Sequence, residues 1–145
     1  MQFSRDELLR RIRVWLTAWD EYNLEGVMKL MHEDIIFENW TGVTTIGKNN
    51  LKRSWVPWFI NHGNFKFIEE DIFIDEQAQK VLFSWRLEWP SLEKQFKGKP
   101  EVRHGVDVLH FKDGKIFKKI SYSKTTLHID SIQVSLTAKK ITFNS

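Results

Sequence analysis

The spacing of apolar residues changes near Asn64, from helical steps to strict alternation. Ser4 and Glu7 form an S-x-x-E capping box. Leu8, Ile12, Trp15, Trp19 and Tyr22 follow on one helical face, which predicts a helix over Arg5–Glu21. Asn23 is a cap for a short second helix whose buried stripe is Val27, Leu30 and Met31. Asp34–Trp40 is rich in β-formers and predicts a strand over about 35–40, ended by Thr41-Gly42. A third helix opens at Gly47–Asn50 and carries Leu51, Trp55, Trp58 and Phe59; Pro57 predicts a kink or break at Val56, and Gly63 the stop.

Beyond Asn64 the pattern is that of a meander. Phe65–Asp75 predicts a bulged strand, because its apolar face switches from Phe65/Phe67 to Ile68/Ile72/Ile74. Val81, Phe83, Trp85, Leu87 and Trp89 alternate with Leu82, Ser84, Arg86 and Glu88 up to Pro90. Ser91–Pro100 is a polar loop, Val102–Phe111 the next strand, and Asp113-Gly114 a tight turn into Ile116–Lys124. Helices first and antiparallel strands after them make an α+β plan with helices on one face of a curved sheet. In the last twenty residues Ile132, Val134 and Leu136 alternate, as do Ile141 and Phe143. These fit an added hairpin or an arm that pairs with another subunit.

A chain of 145 residues suits one domain and buries enough surface to need no staple. There is no Cys, which removes disulfides and thiolate chemistry together. The N-terminus is charged at once, and no apolar run is long enough to span a bilayer, so the expected setting is cytoplasmic with no membrane partner. Acids and bases are interspersed at a net charge of +3, unlike the single basic patch of a nucleic-acid binder. The basic cluster Lys112–Lys119 contains Asp113 and brackets a turn. Seven Trp and eleven Phe are the feature out of proportion. They imply a large core, and an indole N–H needs a partner when buried.

Two stretches carry a family pattern. One runs from Trp19 to Phe37, where Asp20-Glu21-Tyr22-Asn23-Leu24-Glu25-Gly26 leads to Leu30-Met31-His32-Glu33-Asp34. The other is Gly105-Val106-Asp107-Val108-Leu109-His110-Phe111-Lys112-Asp113-Gly114-Lys115-Ile116. Over residues 5–124 the chain resembles SnoaL-like polyketide cyclases and ketosteroid isomerase, of the nuclear transport factor 2-like superfamily. The resemblance implies a cystatin-like cone: a strongly bent antiparallel sheet, covered by helices, around an internal pocket. It makes residues 1–124 a SnoaL-like domain and 125–145 an extension of it. Such pockets bind flat hydrophobic molecules or move protons beside a carbonyl, while other members serve only as dimerisation or binding modules. A small hydrophobic molecule and a second copy of the chain are thus the expected partners, with no cofactor.

Asp107 alternates with Gly105, Leu109 and Phe111 in an apolar strand. A sheltered carboxyl there favours its protonated form; the other reading is an ion pair with Arg86 or Arg103. The resemblance makes Asp107 a neutral donor to an oxyanion. It also places Asn39 where the isomerase has its base, Trp15 where it has a tyrosine, and Ser121 where the cyclase has its acid/base aspartate. Asn cannot take a proton at neutral pH, so neither familiar mechanism is complete. His104 has a suitable intrinsic pKa but falls on the opposite strand face, with Val106, Val108 and His110. His32 reads as a surface or cap residue and His62 as a helix-terminal charge. No pair of residues has metal-ligand spacing. Trp15, Trp19, Tyr22, Trp55, Phe59, Phe83 and Trp85 are core that doubles as pocket wall, with Asn39, Trp40 and Ser121 as polar contacts.

Overall fold

The computed structural model describes residues 2–136. Helix α1 spans Arg5–Asp20; the Ser4 hydroxyl accepts from the Glu7 backbone N–H and Glu21 closes it. Leu8, Ile12, Trp15 and Trp19 lie along its buried face. Helix α2 is short, Leu24–Met28, capped by the Asn23 side chain, which accepts from the Gly26 N–H. Helix α3, Lys48–Ile60, continues through Pro57, so of the kink or break expected at Val56 the break does not occur. The lost backbone donor is outweighed by packing on both sides of the proline. Trp55 lies 5.2 Å from Trp19, Trp58 stacks on Trp89 at 4.9 Å, and Phe59 sits 5.0 Å from Trp19.

Strands β1 (Met31–Glu38), β2 (Thr44–Ile46), β3 (Lys66–Asp75), β4 (Lys80–Pro90), β5 (Pro100–Lys112) and β6 (Lys115–Ser123) join in the order β2-β1-β6-β5-β4-β3. The sheet is strongly curled, and α1 packs against β3 while α3 packs against β1 and β2. It is mixed rather than wholly antiparallel, because β1 runs parallel to β6. That pairing also starts β1 earlier than its β-formers suggest. Met31 sits opposite Ile116 and Ile116 N–H donates to the Leu30 carbonyl, so Met31 belongs to the strand and not to a helical stripe. Trp40 lies just past its end.

The bulge in β3 falls between Glu69 and Ile72, where the register against β4 shifts by one. Asp113 (φ 52°) and Gly114 (φ 75°) make the two-residue β5–β6 turn in the left-handed conformation it requires. Residues 126–135 form the hairpin β7 (Thr126–Ile129) and β8 (Ile132–Ser135), with β7 pairing to Glu101 and Val102 of β5. Ile141 and Phe143 lie outside the described residues. Among the described residues no helix is long and apolar enough to cross a membrane.

His110 projects from the outer face in register with Lys80 and Lys118 on the neighbouring strands. Burial first, then these two lysines, hold its imidazole below the ordinary pKa. The fold thus prefers the neutral ring, and the unfolded chain binds the proton more readily. This contribution to stability is complete above about pH 6.5 and is lost as pH falls below it. His110→Gln is expected to flatten that acid-side loss, seen in urea titrations at about pH 5 and about pH 7.5. Parallel pH slopes in the two proteins would refute this.

Candidate functional site

The concave side of the sheet and helices α1 and α3 enclose a cavity of about 210 Å³. Its walls are aromatic: Trp15 and Trp19 from α1, Trp55 and Trp58 from α3, Phe37 from β1, Phe67 from β3, Phe83 and Trp85 from β4, and Trp40 from the loop after β1. Val43 lines it and is 63% exposed, which marks the mouth. Strand alternation explains the composition, since Phe83 and Trp85 share one face of β4 and Asp107 and Leu109 share that face of β5.

Three polar side chains converge inside. Asp107 Oδ1 accepts a hydrogen bond from Trp85 Nε1 at 3.0 Å, and Oδ2 lies 3.2 Å from Lys119 Nζ. Lys119 Nζ donates to Ser121 Oγ at 2.7 Å and lies 4.5 Å from the centre of the Phe37 ring. Asp107, Lys119 and Ser121 are 7%, 6% and 5% exposed. Asp107 is therefore not the lone polar group expected: its Oδ1 accepts from Trp85, and its Oδ2 faces the Lys119 ammonium. Its cationic partner is neither Arg86 nor Arg103. Arg86 faces Glu88, and Arg103 is bound to Glu101 and Glu93.

The basic cluster read as a turn bracket holds the missing partner. Lys119 faces inward because β6 carries a bulge: Phe111 pairs with Ile116, but His110 pairs with Lys118. With the extra residue Phe117 accommodated, Ser121 sits opposite Asp107 and Lys119 opposite Leu109, one diagonal step from Asp107. An unbulged hairpin would have placed Ile120 across from Asp107 and turned both Lys119 and Ser121 outward. The alternation of Lys119 with Ser121 was the available signal, and only the bulge tells which face it marks.

Trp85 reaches Asp107 because Gly105, its register partner, has no side chain. A Cβ there would lie 2.3 Å from Trp85 Cζ2 and 2.2 Å from the Tyr122 carbonyl oxygen. Beside the mouth, Arg103 lies 5.0 Å from the Trp40 ring centre. Its guanidinium donates to Glu93 and Glu101, and the Glu101 carboxylate accepts from Ser91 Oγ at 2.9 Å and from Trp89 Nε1. This buried network holds the Ser91–Lys99 loop and backs the Trp40 wall.

Of the residues singled out from sequence, Trp15, Trp19, Asn39, Trp40, Trp55, Phe83, Trp85, Asp107 and Ser121 line the cavity. Tyr22 and Phe59 do not. The Tyr22 hydroxyl donates to the Phe65 carbonyl at 2.7 Å while its ring stacks on His62, and Phe59 packs between Trp19 and Phe65. Asn39 Oδ1 accepts from the Trp40 backbone N–H at 2.8 Å. His104 is on the outer face, 3.4 Å from Glu70. His32 Nδ1 accepts from the Asp34 N–H, and His62 Nδ1 from the Asn64 N–H. Among the described residues no group of three or more His, Asp or Glu side chains is placed to hold a metal ion.

A family model described as the SnoaL-like domain matches residues 12–119. No curated protein matches the chain significantly. Among solved structures, an NTF2-like protein of unknown function from Mesorhizobium loti is 18% identical with a TM-score of 0.67, covering 86% of this chain and 97% of that one. An LEH-like epoxide hydrolase from M. tuberculosis is 16% identical, TM-score 0.67, covering 82% of this chain and 84% of that one. TerC, co-crystallised with polyporic acid, is 16% identical, TM-score 0.66, covering 82% and 92%. At such identities the likeness is one of fold.

Proposed function

The chain belongs to the SnoaL-like domain family, and from that premise we propose that its cavity takes a small, flat hydrophobic molecule anchored through one oxygen atom. The observation that carries this is the Asp107–Lys119–Ser121 cluster inside aromatic walls. An ammonium has three N–H donors. Among the described residues Lys119 Nζ donates to Ser121 Oγ, with Asp107 Oδ2 3.2 Å away as counter-ion, so donor capacity remains for a guest. The carboxylate and ammonium balance each other, so the guest needs no net charge, while Lys119 disfavours a cation. The neighbours described as an epoxide hydrolase and as a complex with polyporic acid support a small organic guest on this fold. Asn39, Ser121 and Trp15 at the family's proton-transfer positions favour binding over isomerisation or cyclisation of the familiar kind.

The test is calorimetric titration with 2-naphthol. Binding is expected in the wild type and to be at least about tenfold weaker in Asp107→Leu/Lys119→Met, since a hydrogen bond to a charged group contributes about 1.5–3 kcal/mol. Equal affinities would sink the oxygen-anchored reading.

A second copy of the chain is the proposed macromolecular partner. Phe73, Leu82, Val108 and Ile120 stand in register across four strands on the outer face, with Val106 beside Tyr122. Phe73 is 65% exposed and Tyr122 53%. An apolar row on the side away from the helices favours an isologous sheet-to-sheet contact. Sedimentation equilibrium is expected to give a dimer at micromolar concentration, and Val108→Glu a monomer. A wild-type monomer would count against it. A dimer whose cavity binds no probe would instead favour the non-catalytic oligomerisation module.

A further inference from the structure

Resting on that reading of the cavity, we propose that Lys119 is a nucleophilic amine that captures aromatic or conjugated aldehydes and ketones as a Schiff base, with Asp107 relaying the protons. Lysine amines form such bonds when placed in an apolar site beside a group that takes their proton. Each requirement is present. Lys119 lines the cavity, and its side chain is otherwise enclosed. Asp107 Oδ2 is 3.2 Å from Nζ, close enough to accept a proton directly. Ser121 Oγ, at 2.7 Å, is a hydroxyl that can hydrogen-bond the reacting oxygen once the amine turns towards a guest. Phe37 and Trp55 lie 4.5 and 6.0 Å from Nζ and present their rings to a positive charge, which stabilises an iminium as it does the ammonium.

The step balances without any further reactant. Asp107 takes one proton from the ammonium, and the freed nitrogen pair attacks the carbonyl carbon. The C=O π pair moves to oxygen, which receives the proton held by Asp107. A second proton passes from nitrogen through Asp107 to that hydroxyl. The C–O bond then breaks, water leaves, and the nitrogen pair closes the C=N bond. Ammonium plus carbonyl has become iminium plus water. The iminium keeps the positive charge, and Asp107 ends as the same carboxylate counter-ion with which it began. A single proton relay suffices, so Asn39 in place of a second carboxylate is no obstacle. The aromatic walls select a planar partner conjugated to its carbonyl, and Val43 marks the side by which it enters and water departs.

The test is reductive trapping. Wild-type protein is incubated with an equimolar amount of cinnamaldehyde and sodium cyanoborohydride, and the adduct is located by tandem mass spectrometry. Lys119 is expected to be labelled ahead of exposed lysines such as Lys94 and Lys124. Excess cinnamyl alcohol, which fits but cannot form an imine, should protect it. Asp107→Asn is expected to slow labelling of Lys119 by about a hundredfold, the usual contribution of a positioned proton-transfer group. Lys119→Arg, which keeps the positive charge, should leave only the surface adducts. Adducts in the wild type confined to exposed lysines would overturn the proposal whether or not any variant folds. Cinnamyl alcohol then separates the two readings. If it quenches the cavity tryptophans while Lys119 stays unlabelled, the binding reading stands and the covalent one falls. If it does not bind, both fail.

Discussion

Asp107→Ala is expected to destabilise the protein by about 3–5 kcal/mol, the usual result of removing one partner of a buried ion pair. Asp107 and Lys119 are both more than nine-tenths buried, so solvent screening gives little relief. Without the carboxylate, the ammonium is left with the Ser121 hydroxyl and the rings of Phe37 and Trp55. Trp85 Nε1 also loses its acceptor. Asp107→Asn should lose less, because the amide oxygen can still accept from Trp85. The informative comparison is Asp107→Leu/Lys119→Met, which removes both charges and fills the space with apolar atoms. Such replacements are often neutral or stabilising, so the double variant is expected to recover most of the loss. Urea denaturation of the four proteins closes a double-mutant cycle on the pair. A loss below about 1 kcal/mol for Asp107→Ala would mean that Lys119 finds water through the cavity mouth. The pair would then behave as an exposed one.

Gly105→Ala is expected to cost about 3 kcal/mol or more, although it adds only a methyl group in the middle of a strand. The new Cβ would meet the Tyr122 carbonyl oxygen at 2.2 Å and Trp85 Cζ2 and Cη2 at 2.3 and 2.5 Å. The oxygen is backbone and cannot turn aside, so strand β6 or the indole has to move. Overpacking of this kind costs about 1–3 kcal/mol. Displacing the indole removes a hydrogen bond to a carboxylate as well, about 1.5–3 kcal/mol. Trp85→Phe in the Gly105→Ala background should restore part of the loss, since a smaller ring frees the space beside residue 105. Chemical denaturation, with tryptophan emission as a reporter of the Trp85 environment, checks both steps. A Gly105→Ala protein as stable as the wild type would show that Trp85 does not need the gap.

These two predictions rest on features of different legibility. That Asp107 lies inside follows from its alternation with Leu109, and so does the burial of Phe83, Trp85 and Trp15 on their own elements. Lys119 stands in a basic run beside a turn, where a charged residue is normally solvated, so local pattern does not single it out. Its inward direction depends on a single bulge residue, Phe117, and nothing in the local composition of β6 marks that position. Tyr22 and Phe59 failed as cavity residues for a related reason. They lie on the correct helical faces, but a face that is apolar along its length contacts the cavity only over part of it. The rest packs on Phe65 and Trp19.

The α+β plan, the caps at Ser4 and Asn23, the Asp113-Gly114 turn and the bulge in β3 are all legible in the chain's local pattern. All of these follow from local periodicity and residue type, which act over a few neighbouring positions. Tertiary structure decided the parallel entry of β1 beside β6, the continuity of α3 through Pro57, and the meeting of Asp107 with Lys119 under Trp85. Each of these depends on register between segments far apart in the chain. Shifting a strand by one residue exchanges its two faces, so a bulge that adds one residue decides whether an ammonium faces water or lies buried beside a carboxylate.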